Sequence, residues 1–352
     1  MIPYVEIRDR YTLKAVAVVE PQECWFELAW QEAGAFEVFC RASAANLQAL
    51  KKGRFVTLPN KRFVWVIAAV RYTFTAGGTR MISATGFEAK WLLSKRCILT
   101  PKELQGTITS ACYGLVNHAL GTGANAARKI EHFTVNTNDL LINISGTQAP
   151  RGNLFEFVTG LLKQHHCGHI VELENGGLKY RIFAGEVKTN SVKFSQSLDN
   201  LLASEYFTDD AEKATFALVV STVEDVDYTQ EQDNGGTGID RAEIVIQSNL
   251  STKYEDDNGV EKETTPNSTL YKGWQTEEAK TTLAELVTRE EISGEIDIEN
   301  SSYTFDNDFF VGDMVLVQDD YFNFSVNPRI TKYTFKQDAN GYGEEAEYGG
   351  KQ

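Results

Sequence analysis

Short apolar runs, alternating or β-branched and each closed by a turn signal, fill the first hundred positions. They are Tyr11–Val19, Cys24–Ala29, Gly34–Cys40, Arg54–Leu58, Arg62–Thr75 and Thr79–Gly86. A period of two puts alternate side chains on one face, so each run predicts a strand packed on a core, with Phe36 and Val38 turned inward together. Glu20-Pro21, Pro59-Asn60 and Gly77-Gly78 supply turns, and the glycine pair suits a two-residue hairpin that needs φ > 0. Ala42–Lys52 reads as one short helix, with Leu47 and Leu50 on one side. Strands of this length and spacing predict a small barrel or sandwich.

The period changes after residue 97. Thr107 can cap a helix reaching about Leu120, with Ile108, Ala111, Leu115 and Ala119 along one face. Asn153-Leu-Phe-Glu156 has capping-box spacing and opens a second helix to about His166. His169–Glu174 and Leu178–Ala184 then form a hairpin across Asn175-Gly176-Gly177. From residue 201 strands return, at Thr215–Val223, Asp240–Gln247, Gly294–Ile298 and Met314–Val317. Gln230–Gly238 and Tyr254–Glu263 read as hairpin tips, and Thr276–Arg289 as an amphipathic helix carrying Ala279, Leu283, Leu286 and Val287. The expected organisation is mainly β with an α+β middle domain: a β module over 1–97, the α+β domain over 98–200, and a second β module over 201–352.

Charge divides the 352-residue chain. Residues 1–200 hold 23 Lys/Arg against 16 Asp/Glu, whereas residues 201–352 hold 11 against 33. The formal net charge of −15 argues against sequence-independent nucleic-acid binding. The split itself concerns fields and partners, unless it is simply a well-solvated acidic surface. Hydrophobic residues make up 42% of the chain, enough to exclude wholesale disorder. The longest apolar run, Phe63 to Val70, is far short of the roughly 20 residues of a membrane span. Glu6, Arg8, Asp9 and Arg10 occupy the N-terminus where a signal peptide would be apolar, so none is expected. Five scattered cysteines suit thiols kept in a reducing compartment.

No motif specifies catalysis. His165, His166, Cys167 and His169 form the densest set of potential metal ligands, yet Gly168 is expected to end the helix between them and no second cluster lies nearby, so structural histidines are the reading. Gly121–Arg128 lacks the Gly-Lys-Ser/Thr of a phosphate loop and follows a helix, as a C-capping loop does. Asp256-Asp257-Asn258-Gly259 lacks the first and twelfth ligands of a calcium loop. Asp306, Asp308 and Asp313 around Phe309-Phe310 suit a cation and turn chemistry equally well. A Gly-x-Ser-x-Gly elbow is missing, and Cys167 has no orienting partner. No catalytic residue and no cofactor are expected.

Two blocks carry a family resemblance. The first runs from Trp25 and Trp30 through Gln31-Glu-Ala-Gly-Ala-Phe-Glu37, Leu50-Lys-Lys-Gly53 and Val66–Val70 to Ile82-Ser-Ala-Thr-Gly-Phe-Glu88, Trp91-Leu-Leu93 and Arg96-Cys-Ile98. The second is Phe310-Val-Gly-Asp-Met-Val-Leu-Val317 with Arg329-Ile-Thr-Lys-Tyr333 and Glu344–Gly349. Together they resemble the baseplate hub of long-tailed phages, the N-terminal hub part of tail-associated lysins and central tail fibres. The residues matching its structural pattern are Trp25, Trp30, Gly34, Phe36, Gly86, Gly312 and Asp313.

That resemblance implies a homotrimer in which each subunit supplies two tube-type β-barrel modules, giving a pseudo-hexameric ring. It implies partners above (a distal tail protein or tail tube ring), below (central fibre, tip or receptor-binding proteins) and within the channel (a tape-measure protein, then genomic DNA in transit). It implies a place in the virion tail tip, after assembly in the host cytoplasm. Many relatives continue into a peptidase or fibre domain where this chain stops at Gln352, so wall digestion is not expected of it. Two other readings compete: a hydrolase or metal enzyme centred on His165, His166 and His169, and a carbohydrate-binding module using Trp25, Trp30, Trp65 and Trp91 as stacking platforms.

Overall fold

The computed structural model describes residues 2–74, 78–256, 259–287, 289–298, 300–319, 321, 324–339 and 341–349. Alternation shapes its first strands. In Glu23–Ala29, Cys24, Phe26 and Leu28 are buried while Glu23, Trp25 and Glu27 are not; in Ala35–Arg41, Phe36, Val38 and Cys40 are buried. Each strand therefore offers one apolar face to a core, as the period of two requires.

These strands belong to an 11-stranded sheet that uses both ends of the chain. Its order is Ala15–Val19, Val5–Arg8, Phe55–Thr57, Val64–Phe74, Arg80–Glu88, Ala35–Arg41, Glu23–Ala29, Arg329–Asp338, Gly341–Gly349, Arg289–Asp297 and Leu201–Asp209. At the seam between the two ends, Phe335 lies opposite Phe26 and Lys336 opposite Trp25. One core runs along the sheet, from Val5, Phe26, Phe36 and Trp65 to Ile296, Tyr333, Phe335 and Tyr348. Val64–Phe74 is buried on both faces in its first half. Trp65 and Ile67 enter that core, and Val64 and Val66 enter a second one shared with the middle segment. Double burial explains why Phe63–Val70 reads as an unbroken apolar run rather than an alternating one.

The middle segment folds as its caps indicate. Thr107 caps the helix Ile108–Leu120, and the Asn153 side chain accepts from Phe155 N and Glu156 N at the start of the helix Leu154–Gln164. Strands Gly168–Glu174 and Gly177–Phe183 form the hairpin, with Asn175 and Gly176 at positive φ in its turn. In the C-terminal half, Phe216–Val223 pairs antiparallel with Val226–Asp233 and parallel with Glu243–Gln247. Ala279 and Leu283 of the helix Thr269–Glu285 pack on Ala217 and Val219 of that small sheet.

Several expectations are corrected. The last helix begins at Thr269, capped by Ser268, and ends at Glu285, because buried Tyr271 and Trp274 extend its apolar stripe upstream. Gln230–Gly238 is not one hairpin tip. Val226–Asp233 is a strand with Gln230 and Gln232 on its inner face, and the turn before it is Glu224-Asp225, both at positive φ. Gly168 does not end the second helix. His166 takes the left-handed conformation after Gln164, and Gly168 starts a strand. Val5–Arg8 and Leu201–Asp209 are additional strands. Gly77 of the expected Gly-Gly turn, and Asp257 and Asn258 of the calcium-like loop, lie outside the described residues.

Candidate functional site

Trp30, Gly34, Gly312 and Asp313 converge where the segment after Glu23–Ala29 meets the rest of the chain. Glu88 and Lys90 are both buried there and form an ion pair at 3.3 Å. The Glu88 carboxylate accepts from Ala29 N at 2.9 Å and Gly34 N at 2.7 Å. The Lys90 ammonium donates to the carbonyls of Ala29 at 2.5 Å and His169 at 3.0 Å. With Glu88, this gives one acceptor for each of its three N–H donors. Burial pushes the Glu88 pKa up and the Lys90 pKa down, each opposed by the other's charge. The pair closes the Ala29–Gly34 turn, in which a Cβ on Gly34 would sit 2.5 Å from the Glu27 carbonyl oxygen.

Trp30 projects from that turn and joins three parts of the chain. Its backbone N–H donates to Thr331 O at 2.8 Å, and its backbone carbonyl accepts from His169 N at 3.4 Å. Its ring meets Phe183 edge-on at 4.9 Å and lies against Gly168 and Gly312, either of whose Cβ atoms would overlap it. Asp313 follows as a buried carboxylate accepting from Glu186 N at 2.7 Å and Phe310 N at 2.8 Å, which ties residues 186 and 310 together. Phe36 stacks on Phe26 beneath Gly86, and a Cβ on Gly86 would overlap the Val66 carbonyl. Trp25 stands apart from this junction, half-buried on the sheet's other face. Trp30 and Trp65 are 5% and 0% exposed, so neither is a stacking platform. Trp91 is stacked on Phe87 under Lys95.

The histidines do not converge. His169 is buried, and its Nε2–H donates to Gln31 O at 2.9 Å, which leaves Nδ1 to accept from the Tyr180 hydroxyl at 3.0 Å. Burial drives its pKa down to about 3, with Lys90 adding to the effect. His165 is the C-cap of its helix, and His166 follows in the turn. Among the described residues no three His, Cys, Asp or Glu side chains gather for a metal. Burial pushes the Cys167 thiol up to about 11. Gly121 is the C-cap of its helix. Asp256 accepts from Val260 N and pairs with Lys262. Asp306 holds Arg62 at 2.5 Å, and Asp308 accepts from Thr304 N. Asp313 is committed to backbone.

Sequence reading missed two ionic groupings. One is Glu88–Lys90. The other is Arg62, which reaches Glu172 of the middle segment at 2.5 Å and Asp306 of the C-terminal part. Charged residues at sequence separations of 110 and 244 carry no local signal of pairing.

Among the described residues, one sheet face and two strand edges stay open. Glu23, Glu27, Glu37, Glu345 and Glu347 share the sheet face opposite Phe26, Phe36 and Phe335, with Lys332, Lys336, Arg41 and Arg71 on the same face. Among the described residues, the edge strands Ala15–Val19 and Leu201–Asp209 each pair on one side only. They carry exposed Val16, Val18, Leu202, Tyr206 and Phe207. No helix among the described residues is long and apolar enough to cross a membrane.

Over residues 4–349 the sequence matches the profile of one family, described as Siphovirus ReqiPepy6 Gp37-like protein. Among solved structures, the chain is similar to the tail protein from Neisseria meningitidis MC58, with 13% identity and a TM-score of 0.57 over 99% of this chain and 96% of that one. It is similar to the prophage MuSo2 43 kDa tail protein from Shewanella oneidensis, with 13% identity and a TM-score of 0.56 over 98% and 97%. The prophage tail protein gp18 from Listeria monocytogenes EGD-e follows at 11% identity and a TM-score of 0.50, over 99% and 94%. Identities this low speak for the fold alone. No curated protein matches the sequence.

Proposed function

We propose, for a chain that belongs to the Siphovirus ReqiPepy6 Gp37-like family and is thus a phage tail protein, that it is the baseplate hub of the tail. The observation that carries this reading is the 11-stranded sheet, built from both ends of the chain and, among the described residues, open at two edges. Open edges with apolar side chains invite pairing. A head-to-tail contact between unlike edges closes into a ring when the rotation returns on itself. Three copies, each contributing the β modules of residues 1–97 and 201–352, would offer six similar units to a six-fold tail ring and three-fold symmetry to the tip.

In this reading the polar sheet face lines a channel. Duplex DNA carries about one negative charge per 1.7 Å, so a basic wall would hold it back, while carboxylates keep it centred. Glu23 and Glu37 supply carboxylates to such a lining from the N-terminal module, while Glu345, Glu347 and Glu27 neutralise Lys336 and Lys332 and so keep the wall from turning basic. The partners are then the tail tube or distal tail ring above, tip or fibre proteins below, and the tape-measure protein within. The role is structural, with no bond-breaking step.

Copy number tests it. Reconstruction of the tail tip should show three copies around one axis, and solution mass should report a trimer. A ring of two or six copies would overturn the reading.

A further inference from the structure

Strands Glu23–Ala29 and Ala35–Arg41 set four side chains in a square on the polar sheet face. Glu23 lies opposite Phe39, and Trp25 opposite Glu37. The rings therefore hold one diagonal and the carboxylates the other, each ring roughly 4.5–5.5 Å, Cβ to Cβ, from the carboxylate opposite it. With Cys24 between them, the four line an open cleft of about 300 Å³. Trp25, Phe39 and Glu37 are half-buried, and Glu23 is exposed. Glu37 is steadied by a hydrogen bond from the Ser83 hydroxyl. The cation beside the square, Lys336 opposite Trp25, is engaged by Glu345. Arg41 lies on the same face two positions beyond Phe39, yet among the described residues neither Glu23 nor Glu37 forms an ion pair.

Aromatic faces and carboxylates at this spacing attract the same ligand. A cation gains from the ring quadrupole and from the opposite charge together. A guanidinium adds planar stacking on indole and a forked set of donors. An anion would be repelled, and an apolar group would desolvate Glu37 without giving it a donor.

We propose that this square is a seat for an arginine or lysine side chain of the protein that fills the channel before DNA leaves. The occupant rests on the hub reading, in which the polar sheet face becomes the channel wall. Each seat is shallow and its grip weak. Three seats around one axis would hold a multivalent occupant by adding their contacts, and would release it once the contacts are broken in turn.

The test uses the full chain labelled with fluorotryptophan, with Trp25→Phe assigning the Trp25 line in the fluorine NMR spectrum. The probes are acetyl-Gly-Arg-Gly-amide and its citrulline isostere, which keeps the shape and removes the charge. The Trp25 line should shift saturably with the arginine peptide and bind the citrulline peptide about fivefold more weakly or worse, the scale of one cation–π contact. Glu23→Gln combined with Glu37→Gln should weaken arginine binding similarly, since glutamine still accepts from Ser83. Equal response to both peptides, or a Trp25 line that does not move, overturns the proposal. Mass measured on the same sample separates it from the hub reading. A trimer without the arginine response keeps the hub and loses the seat, whereas the response in a chain that never trimerises keeps the seat and loses the hub.

Discussion

Gly312 and Trp30 are in direct apposition: the indole occupies the space that a side chain at position 312 would need. Gly312 also has φ +90, a conformation L side chains rarely adopt. The glycine of the Val-Gly-Asp motif is thus required by a residue almost three hundred positions away. Gly312→Ala should destabilise the protein by roughly 2–5 kcal/mol, combining backbone strain and overpacking. Urea unfolding measures this, and a midpoint equal to that of the parent would show that the ring can move aside.

Lys90→Met should cost about 3–5 kcal/mol, because it leaves the Glu88 carboxylate buried without its counter-charge. Adding Glu88→Gln should recover part of that loss. If the double variant is no more stable than Lys90→Met alone, the two side chains are not coupled as the structure places them.

His169 makes stability depend on pH. Its folded pKa of about 3 lies below the ordinary value of 6.5, so between those values the unfolded chain binds the proton more tightly. Stability should therefore fall as pH drops from about 6.5, at up to about 1.4 kcal/mol per pH unit, and this contribution is gone below about pH 3. Burial of His118 and His165 acts in the same direction. Unfolding midpoints compared at pH 7 and pH 5 should differ less in His169→Gln than in the parent. An unchanged difference would mean that the imidazole is not the group responsible.

Phe36 is 1% exposed and stacked on Phe26. Phe36→Ala should cost about 3–5 kcal/mol, as full burial of the ring demands. Chemical denaturation gives the number, and a loss under about 1 kcal/mol would contradict the packing.

Reversing the charge of the proposed channel wall should slow DNA release. Glu345 and Glu347 now balance Lys336 and Lys332, so Glu345→Lys with Glu347→Lys would expose four lysines to the duplex. Particles carrying both changes should release DNA more slowly than the parent, most clearly at low salt. An unchanged rate at low salt would remove these glutamates from the channel wall.

Much of the local structure is written in the sequence. Alternation in Glu23–Ala29 and Ala35–Arg41, the Thr107 and Asn153 caps and the Asn175-Gly176 turn are decided within a few residues, by side-chain period, orphan N–H groups and φ > 0. Trp30, Gly34, Phe36, Gly86, Gly312 and Asp313 could be singled out from the chain as a set. Their purpose could not: Gly312 reads as a turn glycine until Trp30 is seen against it, and Asp313 as a cation ligand until the Glu186 and Phe310 amides claim it. Only the tertiary structure decided that Phe335 pairs with Phe26, that Glu88 finds Lys90, that Arg62 holds Glu172 and Asp306, and that Trp25 and Phe39 share a square with two carboxylates. The Phe335–Phe26 and Arg62 contacts join segments whose encounter depends on the whole fold, whereas Glu88 and Lys90, two residues apart, and the square, on consecutive strands, depend on it for burial and register. A strand edge, a buried charge or a ring face specifies what kind of partner it needs, and carries no address for where along the chain that partner lies.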